Sequence, residues 1–511
     1  MAGLHGRLRP SRKCSGRAAM AWEDYLVPGS MLGSGVSDYE YRQRVRRYKP
    51  SSLLPLIAAA AVRYREQQYW LNSPYRKYTP WALADAARVS LAYGTEFGRA
   101  DATDRDLLQI LNAYSRFEDP FLRNHDLRAF MLRMAGEQLT WQSSDFEALA
   151  RTAAIFARTP PLEPAECLRP GWDTGLFGCT LQEYVGTAQL VWASAIACAG
   201  RFDPALFDTA DGKLIARHVG RDTVVRVIDA HFAIGAEQFR AENERAAGRA
   251  GPDDHLRRFT YNPLRGHPLL TGFGPGYLCP MPQLAWAKAT PWGVYFTGLG
   301  HYGDRFALDL GHLFEQYIGR QLRLLAGAQV LPEITYSSRT GSRKTVDWIV
   351  VLPEVVLLVE VKSAIPTEPV RLGTPDAAGA MVSKIGKAFT QIDVTAQLIA
   401  DRDPALAAVP ADRPVLGLVV TLEPFHVANA PFSLLPAART PVTVADAAEI
   451  EVMVTITGTS PGSILLERAA DEVRSTWSLD TVLNGHARSR NPILDAAWNS
   501  YPWASAVRAS R

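Results

Sequence analysis

Residues 344–362 contain two apolar runs joined by a turn, and this pattern limits the possible folds more than any other in the chain. The segment reads KTVDWIVVLPEVVLLVEVK. Both runs consist largely of Val, Leu and Ile, which is typical of central strands that are buried on both faces of a sheet. Pro353 and Glu354 supply the turn between them. The segment therefore predicts a buried β-hairpin.

Three charged residues interrupt this hairpin. If Pro353 and Glu354 form a two-residue turn, Asp347 lies directly opposite Glu360, with the two Cβ atoms about 4.5–5.5 Å apart. Lys362 lies two residues beyond Glu360 and projects from the same face. Two buried carboxylates that face each other repel and are costly to desolvate. A divalent cation removes that conflict, so the spacing predicts a site for Mg²⁺ or Mn²⁺ with an ammonium group beside it.

Charge and cysteine content exclude several classes of protein. The chain of 511 residues has 55 Lys and Arg against 52 Asp and Glu, a net charge of +3, so bulk charge alone does not explain binding to nucleic acid. The 5 cysteines include no C-x-x-C pair, which argues against a disulfide framework or a Cys-based zinc site and predicts a cytoplasmic location. No apolar stretch approaches the roughly 20 residues that span a bilayer, so no membrane segment is expected.

The N-terminal half is patterned mainly as helices. Residues 1–40 form a basic segment without an apolar signal core and are predicted to be a disordered tail. Residues 41–250 carry apolar side chains at helical spacing, which predicts a large all-α domain whose partner, a further protein, is unknown. Residues 251–302 are dense in Gly and Pro but still aromatic. They are expected to form an ordered connector packed between domains.

Residues 303–435 change to a mixed order of elements. Helical spacing covers 306–325, strand patterns cover 329–337, 344–352 and 355–362, a long helical pattern covers 377–401, and a short buried strand covers 414–421. The order is helix, three strands, helix, strand, which predicts an α/β (α+β) unit. Residues 436–511 are expected to form a helical extension, with a capping box at Thr443 and Asp446.

This order and these charged positions resemble the PD-(D/E)XK nuclease superfamily, whose restriction-endonuclease-like core is αβββαβ. The family signature is an acid on the second strand and (D/E)-x-K on the third, here Asp347 and Glu360-Val361-Lys362. A Glu on the first helix is common, and here it is Glu315. The resemblance covers about a quarter of the chain, residues 305–425. It implies Mg²⁺-dependent hydrolysis of DNA phosphodiester bonds.

The same resemblance implies a role for each residue. Asp347, Glu360 and the main-chain carbonyl of Val361 would hold Mg²⁺, with Mn²⁺ as a substitute. Glu315 would assist the metal or the water, and Lys362 would orient and activate that water. Side chains expected to contact the nucleic acid are Lys384, Lys387, Gln391, Arg339, Arg343 and Lys344. Fusion to a large helical module resembles bacterial restriction and anti-phage proteins, and duplex-cutting members of this fold often act as homodimers.

Two functional alternatives to an active nuclease remain open. One is a nuclease-like module that binds nucleic acid without cleaving it. The other is an interaction scaffold that needs a partner subunit or a trigger. A purely structural explanation would make Asp347, Glu360 and Lys362 a salt-bridged strand end, Glu315 a solvated helix residue, and the two lysines and Gln391 of the second helix ordinary surface residues. E-x-K alone is common, so the prediction depends on the joint pattern of register, apolar context and element order.

Overall fold

A computed structural model describes most of the chain. The described residues are 35–67, 78–117, 127–138, 141, 145–161, 165–248, 254–338, 341–364, 379, 382–425, 428–430, 435 and 437–504. The predicted basic tail therefore lies almost entirely outside them. The first helix begins at Asp38, where Ser37 and Glu40 form a reciprocal capping box.

The region up to residue 302 is built mainly from helices, as the apolar spacing predicts. They are α1 (Asp38–Val45), α2 (Pro50–Gln67), α3 (Pro80–Tyr93), α4 (Asp104–Tyr114), α5 (Leu127–Gln138), α6 (Asp145–Phe156), α7 (Trp172–Phe177), α8 (Leu181–Ala197), α9 (Ala210–Ile215), α10 (Arg221–His231), α11 (Ala236–Gly248), α12 (Pro282–Ala287) and α13 (Pro291–Tyr302). No helix in the described part of the chain is long and apolar enough to cross a bilayer.

This region is not entirely helical, so the prediction of an all-α segment over 41–250 is wrong in one detail. Four two-residue strands, β1 (Arg201–Phe202), β2 (Ala233–Ile234), β3 (Leu269–Leu270) and β4 (Tyr277–Leu278), form a small sheet in the order β1-β4-β3-β2. The first two strands pair with residues of the Gly/Pro-rich connector. Strands this short leave no alternating pattern in the sequence, because alternation needs at least four residues to be seen.

The C-terminal region contains a mixed sheet and six further helices among the described residues. The elements are α14 (Asp304–Leu322), β5 (Gln329–Pro332), β6 (Thr335–Ser338), β7 (Gly341–Lys344), β8 (Trp348–Val351), β9 (Val356–Lys362), α15 (Lys387–Ala400), β10 (Val415–Thr421), β11 (Val442–Asp446), α16 (Ala447–Met453), α17 (Pro461–Ala470), α18 (Leu479–Leu483) and α19 (Pro492–Trp498). One turn of π-helix, Val382–Gly386, leads into α15.

The five-stranded sheet has the order β11-β10-β9-β8-β5. The three strands β9, β10 and β11 are parallel, whereas β5, β8 and β9 are antiparallel neighbours. Strands β6 and β7 form a separate hairpin beside this sheet. The mixed α/β architecture that the element order predicts is therefore confirmed.

Apolar side chains cover both faces of the sheet. On one face, Leu357 and Leu418 share a core with Phe314 of α14. On the other face, Leu358 packs in a core with Ile392 of α15. Alternation along β9 therefore places Glu360 on the α15 face, in step with Leu358. The first of these cores is not confined to the sheet, because it also includes residues from α6 and from the C-terminal helices.

The C-terminal helices contact the β8–β9 hairpin at its turn. The turn closes with a hydrogen bond from the N–H of Leu352 to the main-chain oxygen of Val355 at 2.9 Å. Glu354, in the turn, accepts a hydrogen bond from the hydroxyl of Ser460. Ser460 also caps α17 by accepting a hydrogen bond from the N–H of Gly462 at 3.2 Å. The turn of the hairpin is thus fixed to the start of a helix about a hundred residues later.

The predicted capping box at Thr443 and Asp446 is wrong. Thr443 lies inside β11, which forms an edge of the sheet parallel to β10. Asp446 is the N-cap of α16 and pairs instead with Glu449. The short run VTVAD is both a strand and the start of a cap, so the local sequence alone does not separate the two.

Candidate active site

Asp347 and Glu360 face each other at the open end of the β8–β9 hairpin. Trp348 pairs with Val359, so Asp347, the residue before β8, lies opposite Glu360. The register that a two-residue turn predicts is therefore confirmed. Asp347 Oδ2 also accepts a hydrogen bond from the backbone N–H of Val361 at 2.7 Å, which orients the carboxylate across the hairpin.

Glu360 is the more deeply buried of these two acids, with 1% of its surface exposed. Lys362 Nζ donates to Glu360 Oε1 at 2.5 Å, and 31% of the lysine side chain is exposed. Glu360 Oε2 has no hydrogen-bond partner in the described part of the chain. A buried polar atom without a partner costs about 1–3 kcal/mol. A ligand at this oxygen would therefore be stabilising.

Burial raises the pKa of both carboxyl groups, and the charge of a neighbouring acid adds to each shift, Asp347 for Glu360 and Glu333 for Asp347. For Glu360, desolvation is the largest effect and the Asp347 carboxylate adds to it, which raises the pKa to about 7 despite the nearby Lys362. For Asp347, desolvation again dominates and raises the pKa, although the N–H of Val361 and the charge of Lys362 oppose it. At neutral pH the pair therefore retains part of a proton when no cation is bound.

Glu315 lies on α14, close enough for the charges of the site to act on it. Its main-chain oxygen accepts a hydrogen bond from Trp348 Nε1 at 3.1 Å, which fixes α14 to the start of β8. Gly319, one turn later, leaves room for the Trp348 ring directly against the helix. Burial raises the pKa of the Glu315 carboxyl to about 7, and the charges of Asp347 and Glu333 add to the shift.

A fourth acid, Glu333, is absent from the sequence prediction. It directly follows β5, and because Pro332 pairs with Trp348, the next position along that register faces Asp347. Its charge contributes to the raised pKa of Asp347. Lys344 Nζ lies 2.7 Å from Glu333 Oε1 and compensates part of that charge. The pairing of β5 with β8 is the signal that identifies Glu333, since the register decides which residues face each other.

The predicted basic contacts for nucleic acid are only partly described. Arg343 and Lys344 are exposed on β7, and Lys387 is exposed at the start of α15. The charge of Lys344 acts on the site, because it lowers the pKa of Glu315. Arg339 and the side chain of Lys384 lie outside the described residues. Contact of these five side chains with a nucleic acid stays a prediction.

Helix α15 holds the backbone that leads into Asp347. Gln391 Nε2 donates to the main-chain oxygen of Thr345 at 2.7 Å. Thr395 Oγ1 accepts a hydrogen bond from the N–H of Val346 at 3.2 Å. Thr345 and Thr395 are almost fully buried, with 0% and 1% of their surface exposed. Gln391 therefore contacts the protein backbone here, and its direct contact with nucleic acid stays a prediction.

The oxygen donors at the hairpin fit a hard cation. In the described ranges no three His, Cys, Asp or Glu side chains converge as one metal-binding group, and the role of Glu315 as a metal ligand stays a prediction. Mg²⁺ needs less, because proteins usually bind it through one or two carboxylates while it keeps several waters. Asp347, Glu360 and the main-chain oxygen of Val361 would supply such a set, and these ligand roles stay predictions.

Comparison with known proteins does not identify a family. No family model, no curated protein and no solved structure matches the chain. The functional conclusion therefore depends on the register of two strands, on the balance of buried charges, and on the order of the elements around them.

Proposed function

We propose that this protein is a nuclease that hydrolyses DNA phosphodiester bonds with Mg²⁺ as its cation. The observation that carries the proposal is the unpartnered Oε2 of Glu360, on a side chain with 1% exposure that faces a second carboxylate, Asp347. A buried ion pair that serves only stability can often be replaced by apolar residues without loss of stability. A bound divalent cation would neutralise both acids, polarise a phosphate oxygen and lower the pKa of a bound water.

The residues of the chain have separate tasks in this reaction. Asp347, which is oriented by the N–H of Val361, and Glu360 would hold the cation. Lys362 bridges the buried carboxylate and the solvent, since its Nζ donates to Glu360 while 31% of its side chain is exposed, and it orients the attacking water. Glu315, whose pKa burial raises to about 7, can take up a proton from that water at neutral pH.

The elements around the site support the same proposal. In chain order they are α14, β5, β8, β9, α15 and β10, that is, helix, three strands, helix, strand. This is the order of the restriction-endonuclease-like αβββαβ core. We therefore propose that these elements form that core and that the protein belongs to the PD-(D/E)XK superfamily. Hairpin β6–β7 is then an insertion between the first and second core strands, and it carries Arg343 and Lys344 toward a polyanionic substrate.

The cellular role belongs to the same proposal. A nuclease core joined to a large helical region resembles bacterial restriction and anti-phage proteins, which act in the cytoplasm. In such a protein the helical region would bind a partner protein or a second copy of the chain. Light scattering on duplex DNA, with and without Mg²⁺, tests whether two copies of the chain associate as a homodimer.

The decisive experiment is cleavage by the purified protein. Plasmid, linear duplex, single-stranded DNA and single-stranded RNA are each incubated with Mg²⁺, Mn²⁺ or EDTA. We expect cleavage of DNA with either cation and none with EDTA. Asp347→Asn and Lys362→Met should each lower the rate by about 10²–10⁴-fold, the range for loss of a group that handles a proton or a charge in the transition state. Thermal unfolding should show that both variants remain folded.

The control is Lys213→Met, which removes an exposed lysine from α9 and should cleave at the rate of the unchanged protein. Cleavage by Asp347→Asn at the full rate would reject the assigned site. Salt-sensitive binding of DNA without cleavage in either cation would instead favour a binding module. A protein that neither binds nor cleaves any of the four substrates would favour the interaction scaffold.

A further inference from the structure

A second buried charge lies on α17, on the face of the sheet opposite Glu360. Arg468 has 3% of its surface exposed. Its two terminal nitrogens donate only to neutral oxygens. One nitrogen donates to Thr443 Oγ1 at 2.7 Å. The other donates to the main-chain oxygens of Ser475 and Trp477 at 2.5 and 2.8 Å. Its Nε has no hydrogen-bond partner among the described residues.

No acid in the described part of the chain compensates this guanidinium by direct contact. Of the acids in the described ranges, Glu449 is the one whose charge acts on Arg468. Both carboxylate oxygens of Glu449 already accept backbone N–H groups, from Asp446 at 2.9 Å and from Asp480 at 2.8 Å. Burial lowers the pKa of Arg468 to about 10, so the group stays protonated at neutral pH. The fold thus keeps a buried positive charge without a negative partner, which is costly.

A cavity of about 220 Å³ lies directly against this side chain. Its apolar wall comes from the sheet and from α17, and its residues include Leu357, Leu416, Leu418, Leu465 and Ala469. Its polar wall includes Arg468, Thr443, Asn429, Ser475 and Thr476. Among the described residues that line this cavity, Arg468 is the only charged one. An occupant that carries one negative charge would complete the electrostatics of the cavity.

We propose that this cavity binds a small oxyanion, a carboxylate or phosphate group on a short apolar body, through Arg468. Arg468 lines the cavity, and its three hydrogen bonds within the described residues leave two of its five N–H groups unused. Charge-assisted bonds from a guanidinium to an anion are about twice as strong as neutral ones. The leucines of β9 and β10 accommodate the apolar body. The volume is below the roughly 300–1,000 Å³ of pockets for drug-sized molecules, so a polymer does not enter it. This site is separate from the proposed nuclease site.

Calorimetry and thermal unfolding of the full chain test the proposal. The probes are sodium phosphate and sodium butyrate, with sodium chloride at equal ionic strength and butyramide as the uncharged analogue of butyrate. We expect phosphate or butyrate to bind saturably and to raise the melting temperature, whereas chloride and butyramide do neither. Binding by phosphate alone identifies a phosphate-bearing ligand, and binding by butyrate identifies a carboxylate. Arg468→Met should weaken the binding about 10–100-fold.

A second variant keeps the test decisive if Arg468→Met does not fold. Ala469→Leu retains the arginine and fills the cavity, so it should abolish binding of the probe. Ala470→Leu, at the next and exposed position of α17, is the matched control and should bind as the unchanged protein does. The proposal is overturned if neither phosphate nor butyrate binds, or if Ala469→Leu binds normally. Arg468 would then serve only to hold residues 475–477 against α17.

Discussion

Two buried clusters in this protein each combine carboxylates with basic groups, but they balance charge differently. In the N-terminal region, Arg257 donates from Nε to Asp38 at 2.7 Å and from its two terminal nitrogens to Asp85 at 3.0 Å each. Arg42 adds an ion pair to Asp38 at 2.8 Å. Each of the two carboxylates therefore has a cationic partner in direct contact.

The cluster on the β8–β9 hairpin lacks that balance. Asp347 and Glu360 share one lysine, Lys362, and one oxygen of Glu360 has no partner among the described residues. The two clusters thus differ in how their buried carboxylates are compensated. Under the proposed function, a bound cation would supply the compensation that the hairpin cluster lacks. Four experiments break or sharpen this contrast.

Arg257→Met should give the largest change in stability. It leaves Asp38 and Asp85 buried with too little positive charge, and loss of one partner of a buried ion pair costs about 3–5 kcal/mol of the free energy of unfolding. Denaturant unfolding measures this cost. Arg221→Met is the control, because it breaks an exposed ion pair with Asp208 and should cost at most about 1 kcal/mol. Equal losses in both variants would remove the contrast on the N-terminal side.

Glu360→Gln should leave the melting temperature unchanged or raise it, in contrast to Arg257→Met. Because this acid is buried with incomplete compensation, its neutral analogue should unfold in EDTA at the same melting temperature as the unchanged protein or at a higher one. The rise in melting temperature on addition of Mg²⁺ should disappear. A loss of stability as large as that of Arg257→Met, with the Mg²⁺ response intact, would mean that Glu360 belongs to an ordinary structural ion pair.

The dependence on pH should separate the clusters further. The pKa of Glu360 rises from 4.5 to about 7 in the folded chain. A raised pKa means that the protonated carboxyl stabilises the fold, so this contribution is complete below about pH 4.5 and is lost as the pH rises through about 7. We therefore expect the cation-free protein to lose stability from about pH 4.5 to about pH 7, and the Mg²⁺-induced gain to grow as the pH rises through about 7. Glu360→Gln should remove the part of both trends that Glu360 causes.

Thr395→Val should have the smallest effect. It deletes the hydroxyl that binds the N–H of Val346, the residue before Asp347, at a cost of about 1 kcal/mol. We expect a small fall in melting temperature and a severalfold loss in cleavage rate, because the carboxylate that follows is less well oriented. Thr395→Ser should restore the rate. A cleavage rate unaffected by Thr395→Val would show that α15 does not position the acid.

The sequence around the turn predicts the β8–β9 hairpin correctly. The features that the sequence did not predict depend on pairing between segments that are distant in the chain. The register of Asp347 and Glu360 follows from a two-residue turn, so the nearby sequence contains enough information. Glu333 depends on the pairing of β5 with β8, across the β6–β7 hairpin, and the residues of β5 do not specify that register by themselves. Strand β11 is similar, because its place beside β10 depends on chain far from it. The unpartnered state of Arg468 follows only from three-dimensional packing.

The contact between the hairpin turn and Ser460 has a consequence for how the protein can be divided. Glu354, in the turn, is bonded to the residue that starts α17, and the apolar core on that face includes side chains of the C-terminal helices. Residues 303–435 expressed alone would lose this cover and expose leucines of the sheet to water, so we expect that fragment to aggregate. Insertions or deletions in the C-terminal helices should likewise disturb the hairpin, and under the proposed function they should lower the cleavage rate.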